Sequence, residues 1–226
     1  MGSIIIMSKI DEKIVFKPTE FDYVNQEAEV VIVGITPGNS QIKGLRDGMT
    51  KREIKRTYAF AGNMRPNLVR MLDYVGVNRL LDIETCSSLW EEDFDKVEMT
   101  SLLKEATYVV NSKCEEVMFR HAKDIVKSEK LSRMLNDGFV KDCCKYEKAR
   151  LFVACGVGVY DILMSLREND IIKAPVIAIA HPSGANMGII SCYLGKKEPK
   201  NDSHARYLVY AEEAKKVVVE LTMSSC

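Results

Sequence analysis

Two β-branched apolar runs, each ending abruptly in a turn rich in glycine, proline, serine or asparagine, constrain the fold of this chain most. The first run covers residues 30–35 and leads into the turn at 36–39, and the second covers residues 176–180 and leads into the turn at 181–186. Such runs are typical of buried strands, and ligands of parallel sheets bind outside the carboxyl ends of the strands. Both turns are therefore expected at a binding site.

The rest of the chain alternates strands with helices. Residues 151–155 predict another buried strand, and residues 67–75 have apolar side chains at helical spacing, with Gly76 as a capping residue. Further helices are predicted at 160–166 and 203–222, together with two amphipathic helices within 112–148 that break near residues 136–138. This alternation predicts an α/β fold with a parallel sheet that is covered on both faces.

Composition sets limits on domain organisation and on the class of partner. The chain has 226 residues and 46% hydrophobic residues, which fits a single domain over residues 1–226. Its 32 basic and 32 acidic residues cancel, which excludes a uniformly basic coat for nucleic acid but not a local basic patch. Residues 1–7 are expected to be an expression remnant or disordered. They are too short to span a membrane, so we expect a cytoplasmic protein.

The cysteines argue against a disulfide framework or a metal centre. There are seven, an odd number, and their spacing is scattered. No Cys-x-x-Cys pair is present, which argues against a zinc ribbon or an iron–sulfur cluster. We therefore expect no metal site and no cofactor.

Both turns resemble a known family. The first motif, Gly34-Ile35-Thr36-Pro37-Gly38, and the second motif, His181-Pro182-Ser183-Gly184-Ala185-Asn186, resemble the two active-site motifs of the uracil-DNA glycosylase superfamily. Residues 58–63, 100–104 and 151–163 match the intervening segments in order, so the resemblance spans residues 30–187. It implies a three-layer α/β/α fold around a central, mostly parallel four-stranded sheet.

The resemblance implies a monofunctional DNA glycosylase that flips a pyrimidine out of DNA and hydrolyses its N-glycosidic bond with water. Breaking that bond pushes negative charge onto the departing base, and a donor placed where this charge develops stabilises it. His181 is the expected donor, Phe60 the expected stacking platform, and Ile35 and Ser101 complete the expected base pocket. The implied partner is DNA, and the implied protein is a monomer without a cofactor.

DNA contacts are expected from the second motif and from a basic run. Hydroxyls and free backbone N–H groups are common ligands of DNA phosphates, and lysine and arginine supply the charge. Because the family often has leucine where this chain has Ala185, Met187 is a candidate for the wedge that fills the gap left by the base. The expected DNA-contacting residues are Ser183, Gly184, Ala185, Asn186, Met187, Lys51, Arg52, Lys55 and Arg56.

Two departures from the family pattern affect the expected chemistry. Thr36 stands where active branches of the family offer Asp, Asn or Glu; its hydroxyl can orient water but cannot accept a proton as a carboxylate does. Asp47, Glu53 and Glu84 are candidates for a compensating acid. Ser101 stands where the family has an asparagine that reads uracil, which leaves room for a larger base. Both uracil and a modified pyrimidine therefore remain candidate substrates.

Other functions stay open at this point. A catalytically silent protein of the same fold could recognise damaged or modified bases, and Thr36 is the best argument for it. An α/β enzyme acting on a free nucleotide would not need the basic run. A dinucleotide site at residues 156–158 is weakly indicated, because Asp161 replaces the third glycine of that fingerprint.

Overall fold

The computed structural model describes residues 10–19, 22–39 and 48–224. The expectation for residues 1–7 and the candidate acid Asp47 lie outside the described residues. The strands are β1 Ile14–Lys17, β2 Val30–Gly34, β3 Val97–Ser101, β4 Ala106–Val110, β5 Glu116–Met118, β6 Leu151–Cys155 and β7 Val176–Ile179.

Helices of very different lengths connect and cover these strands. The α-helices are α1 Lys51–Tyr58, α2 Met64–Val75, α3 Val77–Leu80, α4 Glu129–Leu135, α5 Lys141–Cys143, α6 Val157–Glu168, α7 Met187–Tyr193 and α8 Asp202–Met223. Short 3₁₀-helices cover Asp11–Lys13, Cys86–Trp90, Phe94–Lys96, Ala122–Lys127 and Gly184–Asn186. The predicted helix at 67–75 is thus present as α2, and Gly76 ends it with a φ of 91°.

A four-stranded parallel sheet in the order β3-β2-β6-β7 forms the centre of the fold. The three strands expected from apolar runs are all present, and β3 adds the edge strand beside β2. The predicted parallel sheet is therefore confirmed, and the carboxyl ends of its four strands lie at one edge.

Both faces of this sheet are covered by helices. Successive side chains of a strand point to opposite faces, so one strand can contribute to the core on both sides. In β2, Val30 and Ile32 pack in the cluster with buried residues of α2, α7 and α8. Val31 and Val33 pack in the opposite cluster with α4, α6 and Phe139. The predicted three-layer α/β/α arrangement is confirmed.

The structure corrects the prediction of two helices within residues 112–148. A second, antiparallel sheet has the order β1-β4-β5, so the first part of this region is a hairpin strand rather than a helix. Its turn is set by Asn111, whose side-chain oxygen accepts from the backbone N–H groups of Lys113 at 2.8 Å and Glu115 at 3.0 Å. Cys114 in this turn has a φ of 61°, which a helix cannot accommodate.

The expected break near residues 136–138 is a change of helix type. The chain passes from α4 through a π-helical turn at Asn136–Val140 directly into α5. Such single π turns occur frequently at functional sites. This one places Gly138 and Asp142 against Lys104, as described below.

Candidate active site

A cavity of about 610 Å³ lies at the carboxyl ends of the four central strands. Its wall includes the first motif after β2, Ser101 at the end of β3, residues 155–159 after β6 and His181 beyond β7. The volume is within the range of roughly 300–1,000 Å³ that small-molecule sites occupy. The structure also brings Phe60, Ser183, Ala185 and Asn186 to this cavity.

His181 is held by hydrogen bonds on both sides of the second motif. The Ser183 backbone N–H donates to His181 Nδ1 at 3.3 Å, and Asn186 Nδ2 donates to the His181 carbonyl at 3.2 Å. Asn67, on α2, donates from Nδ2 to the Pro182 carbonyl at 2.8 Å. Because Nδ1 accepts, the neutral ring carries its proton on Nε2. Nε2–H is therefore the donor that the ring can offer to a ligand.

Gly156 fixes the turn that runs beside His181. Its φ of 103° belongs to a region that side chains rarely adopt, and its N–H donates to the Ile179 carbonyl at 2.9 Å. A Cβ built on Gly156 would lie 3.7 Å from His181 Cβ. The glycine therefore links the ends of β6 and β7 closely behind the histidine.

The electrostatic environment keeps His181 neutral. Burial, and to a smaller extent the Arg120 guanidinium, lower the pKa of His181. Arg120 is exposed, lines the same cavity and follows β5 in the second sheet. Since the ordinary pKa of histidine is about 6.5, the ring is a neutral hydrogen-bond donor at pH 7.

Replacing Arg120 by glutamine is expected to raise the pKa of His181, because one of the two causes of its lowering disappears. The acidic limb of a pH–rate profile for base release should then move to higher pH, while Arg120→Lys should keep it near the wild-type position. Rates measured between pH 4.5 and 8 test this. An unchanged limb in Arg120→Gln would show that the guanidinium does not act on the imidazole.

Phe60 reaches the cavity from an unusual backbone conformation. Its φ is 50°, which is an outlier for an aromatic residue and costs on the order of 1–3 kcal/mol. Trp90 Nε1 donates to the Ala59 carbonyl at 2.9 Å, and Arg65 donates to the Thr57 carbonyl at 2.6 Å, so neighbouring groups fix this turn. A Cβ built on Gly34 would lie 3.8 Å from Phe60 Cζ. The ring therefore lies directly against the first motif.

Thr36 lines the cavity, but its hydroxyl is engaged by the main chain. Oγ1 donates to the Glu105 carbonyl at 2.9 Å and accepts from the Thr107 N–H at 2.9 Å. A hydroxyl has one proton to donate, so Thr36 cannot donate to a water molecule in this arrangement. The second lone pair of this hydroxyl can still accept from water, so the expectation that Thr36 orients water stays a prediction. The hydroxyl also fastens the start of β4 to the first motif.

Of the candidate compensating acids, neither Glu53 nor Glu84 lies in the cavity wall. Glu53 forms a capping box with Thr50 at the start of α1, with its Oε2 accepting from the Thr50 N–H at 2.8 Å. Glu84 is not among the cavity residues, and no Asp or Glu lines the cavity in the described part of the chain. Nor do three or more His, Cys, Asp or Glu side chains gather there into a group that could hold a metal ion.

Ser101 and Ile35, the residues expected to complete the base pocket, both line the cavity, and their role in base binding stays a prediction. Ser101 ends β3 opposite Gly34 in the strand register. The Ile35 carbonyl accepts from the Leu103 N–H at 2.9 Å, which ties the first motif to the segment after β3.

Two cations, Lys104 and Arg120, line the cavity but were not among the site residues expected from the sequence. For Lys104 a signal existed, because it ends the segment 100–104 that resembles the family. Arg120 follows a strand that the sequence did not reveal.

The basic run on α1 is less available than the sequence indicated. Lys55 is 1% exposed and its Nζ donates to Glu98 and to the Tyr23 carbonyl, so the expectation that Lys55 contacts DNA is wrong. Lys51 pairs with Asp22 at 2.6 Å and Arg52 with Asp95 at 2.6 Å, both at the surface. Helix α1 therefore offers at most part of the expected charge.

The second motif presents its backbone outward. Residues 184–186 form a 3₁₀ turn in which Gly184 and Ala185 are exposed. Met187 follows at the start of α7, with 41% of its surface exposed. The Asn186 N–H donates to the Ser183 carbonyl at 2.9 Å, so the exposed groups beside the cavity are Gly184, Ala185 and the Met187 side chain.

Known proteins resemble this chain only in part. No family model matches the chain. An uncharacterized protein of Bacillus subtilis (strain 168), YoxB, is 32% identical over 100 residues, which are 39% of this chain and 39% of YoxB. The match thus spans well under half of that relative. The crystal structure of wild-type Pedobacter heparinus SMUG2 superposes with a TM-score of 0.47 at 13% identity, covering 86% of this chain and 76% of that one.

No helix within residues 10–19, 22–39 and 48–224 has the length and apolarity that a membrane span requires.

Proposed function

We propose that this protein is a monofunctional DNA glycosylase that extrudes a pyrimidine from DNA and hydrolyses its N-glycosidic bond, leaving an abasic site. The observation that carries the proposal is the convergence of Phe60, the first motif and His181 on one cavity at the carboxyl edge of the sheet. An aromatic platform beside a neutral imidazole donor suits a flat base that leaves with negative charge.

In this proposal, base recognition combines stacking with a small polar contact. The extruded base stacks on Phe60, an interaction typically worth about 1–3 kcal/mol, and its edge faces Ser101. A serine hydroxyl makes no bidentate amide-like pair. The cavity of about 610 Å³ therefore accepts uracil or a pyrimidine with a larger substituent.

The proposed reaction depends on stabilisation of the leaving base. The C1′–N1 bond breaks with its electron pair going to the base, and water then adds to C1′ and gives up a proton. His181 Nε2–H stabilises the anionic base at an exocyclic oxygen. Since no carboxylate of the described residues lines the cavity, bond breaking in this proposal runs ahead of water attack.

DNA is held, in this proposal, by the outward face of the second motif and by nearby cations. The amides of Gly184 and Ala185 and the Ser183 hydroxyl bind phosphates, and Met187 enters the gap that the base leaves. Positive charge comes from Arg56, for which no ion pair is described, and from the surface side chains of Lys51 and Arg52.

Replacing Arg56 by glutamine is expected to weaken DNA binding about equally for all sequences. One phosphate contact fewer lowers the slope of log K against log salt by about 1. Titration of a labelled duplex at several salt concentrations measures this slope, with Lys216→Gln on α8 as a surface control. Equal slopes for Arg56→Gln and wild type would show that Arg56 does not contact a phosphate.

The test of the function is a panel of oligonucleotides that carry uracil, thymine mismatches, hydroxymethylcytosine or glucosylated hydroxymethylcytosine. Alkali cleavage reveals abasic sites. Abasic sites formed by wild type and lost in a His181 variant would establish the glycosylase and name its base. Cleavage of free nucleosides alone would contradict the proposal.

A catalytically silent DNA-binding protein is the second candidate. The engagement of the Thr36 hydroxyl by Glu105 and Thr107 favours it, because the described cavity wall offers no carboxylate that could activate water instead. Binding of modified DNA without cleavage of any substrate would support this candidate over the enzyme.

A further inference from the structure

We propose that Lys104 forms an anion-binding subsite in the cavity and that its ammonium group, together with His181, stabilises the negative charge on the departing pyrimidine. This inference rests on the proposed glycosylase function and names a further residue for its chemistry. It is carried by the hydrogen bonds, the packing and the charge around Lys104.

The ammonium group of Lys104 is fixed and has one donor left. Nζ donates to Thr100 Oγ1 at 2.7 Å and pairs with Asp142 Oδ2 at 2.7 Å. An ammonium group has three donors, of which these contacts use two, and the proposal assigns the third N–H to the ligand. Lys104 and Thr100 both line the cavity that contains His181 and Phe60.

The surrounding backbone is shaped to hold this side chain. A Cβ built on Gly138 would lie 2.7 Å from Lys104 Cγ, closer than real Cβ contacts come. Gly138 is the middle residue of the π turn, and Asp142 follows that turn on α5. The altered helix therefore supplies both the space for the lysine stem and the carboxylate that orients its end.

The charge balance leaves the site positive. Asp142 also accepts from Lys145 at 2.7 Å, so two lysines share one carboxylate. Burial raises the pKa of Asp142, but the hydrogen bonds from Lys104 and Lys145 outweigh this and hold the pKa below its ordinary value. Among the described residues, the cavity wall contributes the cations Lys104 and Arg120, the neutral donor His181 and no carboxylate. A ligand that becomes anionic is stabilised in such a wall.

In the proposed step, each exocyclic oxygen of the departing base accepts a hydrogen bond from its own donor. When the C1′–N1 bond breaks, both electrons leave with N1 and spread over the ring to the exocyclic oxygens. His181 donates to one of these oxygens and Lys104 to the other. Water adds its oxygen to C1′ and releases the proton that finally neutralises the base, so no oxidant, reductant or metal takes part.

The test compares two leaving groups of different acidity in the same DNA sequence. For Lys104→Met, single-turnover release of uracil should fall by about 10²-fold, the usual effect of losing one donor to a developing anion. Release of 5-fluorouracil should fall distinctly less, because its anion needs less stabilisation. Lys104→Arg should recover part of the rate.

The matched control is Lys145→Met, which removes the other ion pair of Asp142 but lies outside the cavity wall. It should leave both rates near wild type. Circular dichroism and thermal unfolding establish that each variant is folded. An equal loss for both bases in Lys104→Met, or no loss, would overturn the proposal, because a merely structural role slows all leaving groups alike.

A binding measurement separates this inference from the proposed function. Calorimetric titration compares free uracil with free 5-nitrouracil, which is an anion at neutral pH. Wild type should prefer the anion, and Lys104→Met should lose that preference. If wild type releases no base but keeps a Lys104-dependent preference, the glycosylase proposal fails and the subsite stands. Equal binding of the two bases by wild type would overturn the subsite.

Discussion

Replacement of His181 by alanine is expected to lower the rate of base release by about 10²–10³-fold, the usual cost of losing one donor to a developing anion. The Ser183 N–H holds Nδ1 at 3.3 Å, so Nε2–H is the donor that is lost. Single-turnover rates on the best oligonucleotide of the panel measure the effect. DNA affinity should change little, because the imidazole is placed to act on the departing base.

His181→Asn is the informative companion, since an amide keeps a donor but does not titrate. Wild-type activity should fall as the pH drops through the lowered pKa of His181, because protonation places a hydrogen on Nδ1 against the Ser183 N–H. His181→Asn should keep part of the rate and lose that acidic limb. If His181→Ala releases base as fast as wild type, the proposed role of His181 is wrong.

Replacement of Lys55 by methionine is expected to lower the free energy of unfolding by about 3–5 kcal/mol, because it leaves a buried carboxylate without its counter-ion. Glu98 is 0% exposed, and its Oε2 accepts from the Asn25 N–H at 2.9 Å. Burial raises the pKa of Glu98 and lowers the pKa of Lys55. Urea unfolding at pH 7 gives the size of the loss.

The double variant Lys55→Met/Glu98→Leu is the control for this prediction. Removing both charges avoids the unpaired ion, so its loss should be much smaller than the sum of the single losses. The deficit of Lys55→Met should also shrink as the pH falls through the raised pKa of Glu98, since a protonated carboxyl needs no counter-ion. Additive losses in the double variant would show that the pair does not act as a unit.

The central sheet could be predicted because three of its four strands are continuous apolar runs, which are typical of a parallel sheet that is covered on both faces. Residues 30–34, 151–155 and 176–179 are all such runs. The hairpin strand β5 could not be recognised in the same way, because Glu116 and Val117 are both exposed and no alternation marks a buried face. Its turn depends on hydrogen bonds to the Asn111 side chain, which spacing does not show.

The site was predictable where it follows strand ends and not where distant segments meet. Three parts of the site, His181, Ser101 and the first motif, could be predicted because they lie at the ends of strands. Phe60 could be predicted because the segments that resemble the family occur in the same order. Lys55 was misread because a basic run looks solvated unless its partner is known, and Glu98, a lone acid within the buried strand β3, was that partner. Lys104 owes its position to Gly138 and Asp142, more than 30 residues away.

The clamp formed by Thr36 also connects the two sheets. Its hydroxyl joins the first motif to β4, and β4 pairs with β5, which leads to Arg120. Thr36→Val keeps the shape of this side chain but leaves the N–H of the buried residue Thr107 without its acceptor at position 36. A change at the carboxyl end of β2 would therefore reach Arg120, another part of the same cavity wall, through the second sheet.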